Sequence, residues 1–486
     1  MGEAGTSPNV LLVVLDSVRA RNTSLHGHHN ETTPYLESLA AEGRQYEQAR
    51  AAGTESISSH TSLFTGYHVR EHGITNRRNR LTDGHTVWER LAADGYHTGV
   101  FSNNPFLTEL PVGLSEAFDT VVGRSRELPY PDAVNPKDFV IDAGDGPGKY
   151  LAFLRAAIDS GRPLGSLVNG LSFRLPDRYE RGLPAAFRAD ASATMYAERF
   201  LAWEADVDGP WAACVNFMDA HFPYEGGPHD RWGGEELDRL QDAMADQVWE
   251  FVGGQRPWWQ REALEALYDG AIRRCDAELE RIVETLRDRG RLDETLVVVT
   301  ADHGEGFGER SLVRPDQRCV GHGNGGLMEE LLHVPLVVRH PAIEAGDVVE
   351  APATLTAFPA AVESFVSGEP DPSATPFVPE GPVVAATDGI DPDTQERARE
   401  FLNDIDVLTA PADAVYTGTD GGVEKAVRWG DREALVAVRD ARARWRVDDA
   451  ADVDGVIEGF EDRGVRAEAD DVDDAVQERL EDLGYA

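Results

Sequence analysis

The sequence predicts an α/β fold: a large, mostly parallel sheet with helices on both faces, followed by a small antiparallel sheet. Three observations carry this prediction. Short, continuous apolar runs read as strands buried on both faces. Amphipathic stretches alternate with those runs, as parallel sheets require. After about residue 350 the pattern changes to short strand-like pieces separated by turns.

The first run, residues 10–15 (Val-Leu-Leu-Val-Val-Leu), is a buried strand that stops at Asp16. Residues 33–43 read as a capped helix ended by glycine, 87–95 as a second helix and 97–102 as a second strand. Residues 127–183 are rich in Gly, Pro and Arg and unpatterned, which predicts an insertion or lid. Residues 264–290 place Leu264, Leu267, Ile272, Leu279, Ile282 and Leu286 at helical spacing. That helix feeds a strand at 296–300, just before Asp302, and 334–338 is a further strand. Pieces at 414–417, 426–429, 434–438 and 442–447 predict the antiparallel sheet, and 472–483 a final helix in an acidic tail. The expected division is a catalytic domain over 1–350 and a small α+β domain over 351–486.

Charge narrows the function classes. The 486 residues hold 46 Lys+Arg against 87 Asp+Glu, a net charge of −41, which excludes nucleic-acid binding through a general basic field. Only Lys137, Lys149 and Lys425 are lysines. An acidic, lysine-poor surface stays hydrated where molar salt screens charge to about 3 Å, so the expectation is a halophilic protein of a salt-rich cytoplasm. Cys214, Cys275 and Cys319 form neither a CxxC pair nor an even-numbered framework. The N-terminus carries no signal pattern and no run reaches 18 apolar residues, so a cytoplasmic protein without a membrane span is expected. Oligomeric state has no signature in the sequence.

Ligands of such sheets bind outside the carboxyl ends of the strands. Two strand ends deliver acids here, Asp16 after the first and Asp302-His303 after the run at 296–300. Either aspartate alone reads more readily as a helix N-cap than as a ligand, but two carboxylates and an imidazole converging at one crevice suit a divalent-metal site. Residues 53–66 (Gly-Thr-Glu-Ser-Ile-Ser-Ser-His-Thr-Ser-Leu-Phe-Thr-Gly) present hydroxyls at the start of a helical turn, where anions are stabilised. A serine there can be a metal-activated nucleophile.

Together these motifs resemble the sulfatase family of the alkaline-phosphatase-like superfamily. The likeness rests on Asn9 to Arg19, on residues 33–43, on Phe217-Met-Asp-Ala-His-Phe-Pro-Tyr224 and on Tyr268 to Asp276. It extends through Asp293 to Gly304, Gly321-His-Gly, Glu330 to Leu336 and the C-terminal Glu478 to Tyr485. The family's nucleophile motif, Cys/Ser-x-Pro-Ser-Arg, begins ten residues before the glycine of a Thr-Gly pair, which here is Ser56. Four departures stand out. Ser17 replaces a second aspartate, Ser58 replaces the motif's proline, His60 its arginine, and Ser102-Asn-Asn-Pro105 a Lys-x-His. The Pro/Arg context is what maturation reads when Cys or Ser is oxidised to formylglycine.

The resemblance implies one divalent cation (Ca, Mg, Mn or Zn) on Asp16, Asp302 and His303, with a second possible in the same crevice. It implies Ser56 as nucleophile, with Thr54 as the alternative if the loop register shifts by two. His221 and His322 become acid or ester-binding groups, and Arg19, His60 and Asn104 substrate-side residues. Three functions compete: a sulfate-ester hydrolase, a phosphodiesterase or phosphoglycerol-type transferase using plain serine, and a binding protein that kept the fold. The expected partner is a small-molecule or glycan sulfate or phosphate ester.

Overall fold

A computed structural model describes residues 8–124, 130, 133–134, 148–174, 192–224, 231–324, 326–367, 371, 374–448 and 452–470. Its strands in chain order are β1 (Asn9–Leu15), β2 (Arg44–Arg50), β3 (Asn79–Leu81), β4 (His97–Ser102), β5 (Thr120–Val122) and β6 (Trp211–Phe217). Then come β7 (Thr295–Thr300), β8 (Gly306–Arg310), β9 (Arg318–Gly321), β10 (Leu336–Arg339) and β11 (Asp347–Thr354). The last are β12 (Val383–Thr387), β13 (Ala412–Thr419), β14 (Gly422–Trp429), β15 (Arg432–Val438), β16 (Arg444–Asp448) and β17 (Arg466–Glu468).

Eight strands form one sheet in the order β11-β2-β10-β7-β1-β6-β4-β5. β1 lies between β6 and β7, parallel to both, and every residue of these three strands is buried. That is why β1 and β7 read as continuous apolar runs. β10 is the exception to parallel order, antiparallel to both β7 and β2. The helix Trp258–Asp288 buries Leu264, Leu267, Ile272, Leu279, Ile282 and Leu286, the stripe expected from spacing.

The second sheet, β12-β13-β14-β15-β16, is a fully antiparallel meander. Its four later strands match the expected pieces, and β12 is an addition. The described residues fall into two compact units, one drawn from Met1–Gly123 and Ser192–Val472, the other from Arg124–Ala191. Both sheets belong to the first unit, and contacts run across residue 350. Val313, Leu327 and Leu332 share a core with β12 to β15. Lys425 and Arg50 both pair with the buried Glu329, and Arg444 with the buried Glu330. The expected insertion is described only in part, as the helices Gly148–Asp159 and Pro163–Arg174 of the second unit. The helix expected at 472–483 lies outside the described residues. No helix among the described residues is long and apolar enough to cross a membrane.

Candidate active site

The carboxyl ends of β1 and β7 meet, because the strands are adjacent and parallel. Asp16 follows β1 and Asp302 and His303 follow β7, and their ligand atoms lie within 4.8 Å of one another, all fully buried. Among the described residues they are the one such cluster.

Each is held by its own shell. Asp16 Oδ2 accepts from Asn104 Nδ2 at 2.9 Å and from Asn216 Nδ2 at 3.1 Å. Asp302 Oδ1 accepts the backbone N–H groups of Ser17 (3.1 Å) and His303 (3.0 Å). Ser17 turns the chain at φ 62°, a left-handed conformation uncommon for a side-chain-bearing residue, and so aims its N–H at Asp302. His303 Nδ1 bonds to the Gly304 carbonyl at 2.9 Å, which commits its proton there and turns Nε2 to the cluster. Gly304 has to be glycine, since a Cβ would lie 2.0 Å from the Glu330 carbonyl oxygen.

The helix Ser56–Thr65 begins beside this cluster. Ser56 is its first residue, and Ser56 Oγ lies 3.3 Å from His303 Nε2. The hydroxyl thus stands at a helix N-terminus, where developing negative charge is favoured.

Electrostatics agree with a cation site. Burial opposes the Asp302 carboxylate, yet His303, His60 and the Ser17 N–H hold its pKa below the usual value. Burial likewise opposes a charged His303, but Asp302 and Asp16 raise its proton affinity. Asp302 Oδ2 is buried with no hydrogen-bond partner. A buried anionic oxygen without a donor, beside a second carboxylate and an imidazole nitrogen, fits a divalent cation.

A family description, Sulfatase, matches residues 8–364. The chain belongs to the sulfatase family. An arylsulfatase of Clostridium perfringens is 23% identical over 328 residues, 63% of this chain and 65% of that protein. An N-acetylglucosamine-6-O-sulfatase of Bacteroides thetaiotaomicron is 23% identical over 382 residues, 71% of this chain and 65% of that protein. This chain therefore spans slightly less than two thirds of these relatives' length. In structure it is similar to the phosphonate monoester hydrolase of Agrobacterium radiobacter, with a TM-score of 0.58 at 21% identity, over 88% of each chain. The fold is alkaline-phosphatase-like.

Within this sulfatase-family site, His221 and His322 join the cluster. Their rings lie 4.9 Å apart, and the rings of His322 and His303 lie 4.5 Å apart. Burial and the neighbouring His322 push the His221 pKa well down. Three residues expected on the substrate side have other partners. The Arg19 guanidinium is spent on Glu265 (2.7 Å), Glu309 (2.5 Å), Asn22 (2.6 Å) and the Glu305 carbonyl (3.1 Å), not on the metal carboxylates. Asn104 caps the turn Pro105–Thr108 through Phe106 N and steadies Asp16. His60 is fully buried, its Nδ1 2.9 Å from the Ser56 carbonyl and 3.5 Å from Asp302 Oδ2, so it braces the turn that carries Ser56. Of the two hydroxyls the sequence offered, that of Ser56 lies beside His303 Nε2.

Sequence reasoning missed Glu305 and Asn216. Glu305 Oε2 lies 3.1 Å from His322 Nδ1, and Glu305 Oε1 binds Arg261 Nη2 (2.6 Å) and the Tyr224 hydroxyl (2.7 Å). Burial opposes its charge, but His322 and Arg261 hold its pKa far below the usual range. Asn216 is the one polar side chain in the run Trp211–Phe217, a signal that was available in the sequence.

Proposed function

We propose that this protein hydrolyses sulfate esters through residue 56 as nucleophile. The observation that carries the reading is Ser56 Oγ, 3.3 Å from His303 Nε2 at the Asp16–Asp302–His303 cluster. Those three residues would hold the cation, which when bound supplies positive charge that polarises the ester oxygens and the nucleophile. The chain's own groups do the rest. Oγ of residue 56 gives up its proton to solvent as it attacks the ester's central atom, the bond to the alcohol oxygen breaks, and the covalent intermediate forms. His322 or His221 gives the departing alkoxide its proton. Water then releases sulfate and restores residue 56; where the residue is formylglycine, the sulfated hydrate instead loses the proton of its second hydroxyl and expels sulfate to leave the aldehyde, which water rehydrates.

The second reading is a phosphodiesterase or phosphoglycerol-type transferase using unmodified serine. The observation that favours it is local: Ser58 and His60 stand where the maturation motif has proline and arginine. The two readings separate in one experiment. p-Nitrophenyl sulfate, p-nitrophenyl phosphate and its diester are assayed side by side in molar KCl, with the mass of the Ser56 peptide. Sulfate turnover with loss of two hydrogens at residue 56 is the expected result. Diester turnover without sulfate turnover, on an unmodified peptide, moves the assignment to the second reading.

The net charge of −41 and the three lysines support a further part of the reading, a protein adapted to concentrated salt.

A further inference from the structure

The second compact unit carries an exposed apolar surface. Its helices Gly148–Asp159 and Pro163–Arg174 pack on one another as a hairpin that turns through residues 160–162. Ala157, Ser166 and Asn169 are buried in it. Outward stand Leu154 (42% exposed), Ile158 (70%), Leu164 (79%) and Leu167 (44%). Ile158 and Leu164 flank the turn, while Leu154 and Leu167 continue their helix faces one turn back. Exposed large apolar side chains normally occur singly; four on one short hairpin make a patch that marks an interaction site.

Charge says what the patch meets. Residues 148–174 contain Lys149, Arg155, Arg162 and Arg174 against Asp159, a net +3 within a chain of net −41. Arg155 and Arg162 are exposed among the aliphatic residues. Aliphatic side chains interleaved with basic ones on a helical surface are the pattern of interfacial membrane binding. A second copy seated on the same patch would bring the Arg155 and Arg162 of both copies into one interface, a gathering of like charge.

We propose that this hairpin docks on an anionic lipid surface, inserting Ile158 and Leu164 at the headgroup boundary with Arg155 and Arg162 against the lipid phosphates. The test is vesicle flotation of the full chain, at KCl concentrations where circular dichroism shows it folded. Vesicles of equal parts phosphatidylglycerol and phosphatidylcholine are compared with pure phosphatidylcholine. The parent floats with the anionic vesicles. The double variant Ile158→Asp/Leu164→Asp, at exposed positions and with an unchanged melt, lowers the bound fraction at least about tenfold. Arg155→Gln and Arg162→Gln each weaken binding about fivefold at the lowest KCl concentration that keeps the chain folded and less in molar salt, where the lipid charge is screened. A parent that stays in the soluble fraction overturns the proposal, as does an aspartate variant that floats like the parent. Self-association by light scattering, abolished by the aspartates with no lipid binding, overturns it in favour of a second copy.

Discussion

His322 Nδ1 lies 3.1 Å from Glu305 Oε2, and the other oxygen of the same carboxylate is gripped by Arg261 and Tyr224. The carboxylate therefore sets the ring's tautomer and angle, so that a proton passed to a leaving group comes from Nε2. Glu305 is a positioning residue on this view, acting through His322.

Glu305→Gln keeps the volume but weakens that hold, and kcat is expected to fall tenfold to a hundredfold with a smaller change in KM. The melting temperature falls as well, because Arg261 loses its buried partner; breaking such a pair costs about 3–5 kcal/mol. A purely structural role would lower the melt and leave kcat per folded molecule at the parent value. That outcome would remove the assignment.

Removal of divalent cations is expected to lower the melting temperature. The orphaned Asp302 Oδ2 and the buried Asp16 face each other without a cation between them once chelated. A site held at a hundredfold over its dissociation constant contributes about 2.7 kcal/mol of stability, all of it lost to the chelator. Calorimetry with and without EDTA at constant ionic strength reads this directly. Superimposable melts would refute the cation site, whatever the activity.

Acid should unfold the protein through buried histidines outside the Asp16–Asp302–His303 cluster. Burial pushes His72 down to about 3, where its ring bonds to the Ser62 hydroxyl and the Ile74 N–H with His68 nearby. Burial and the cations of Arg50 and Arg442 push His26 down to about 4. Both are neutral in the fold, whereas the unfolded chain protonates them near 6.5. Stability is thus complete above pH 6.5 and is lost as pH falls towards 4, by up to about 1.4 kcal/mol per pH unit for each ring. His72→Gln removes one of these protonations and should flatten the fall. A variant whose melting temperature tracks the parent's at every pH contradicts it.

Why some of this was legible and some not is physical. β1 and β7 announce themselves because both faces are buried, and their acids follow at the strand ends. β2 reads Arg-Gln-Tyr-Glu-Gln-Ala-Arg and has no apolar pattern. It is a strand because Arg44 finds Asp347, and Arg50 finds Gln48 and Glu329, partners mostly some 280–300 positions away. Glu305 is the same problem at the site. In sequence it is one acid among 87 Asp+Glu, and only folding brings Arg261 and His322 to its two oxygens. Arg19 and His60 were visible as residue types, but their partners were not. A guanidinium near a metal strand looks the same whether it faces a substrate or, as here, Glu265 and Glu309.

Salt is expected to raise stability steeply. With 41 surplus negative charges, self-repulsion is unscreened in dilute buffer, where the Debye length is about 30 Å, and is cut to about 3 Å near molar salt. The circular-dichroism melting temperature should climb with KCl across that range. A melt indifferent to KCl would end the salt-adaptation reading.

Ser56 supplies the sharpest test of the site. Its hydroxyl is the group beside His303, at the start of a buried helix, with Asp16 and Asp302 in the same cluster. If it forms the covalent intermediate, Ser56→Ala abolishes turnover while the fold and most ground-state binding survive. If it is a structural hydroxyl, the cost is about 1 kcal/mol of stability, the usual size for a buried hydroxyl's hydrogen bonding, and turnover stays near the parent's. The two outcomes differ by orders of magnitude in rate and hardly at all in melting temperature, so a misfolded variant cannot imitate an inactive one. Thr54→Ala is the companion measurement. Thr54 sits two residues earlier, outside the helix, and its variant should keep turnover. An inactive Thr54→Ala beside an active Ser56→Ala would move the nucleophile to residue 54. Two variants as active as the parent would instead leave the cluster to activate water directly, with no covalent intermediate.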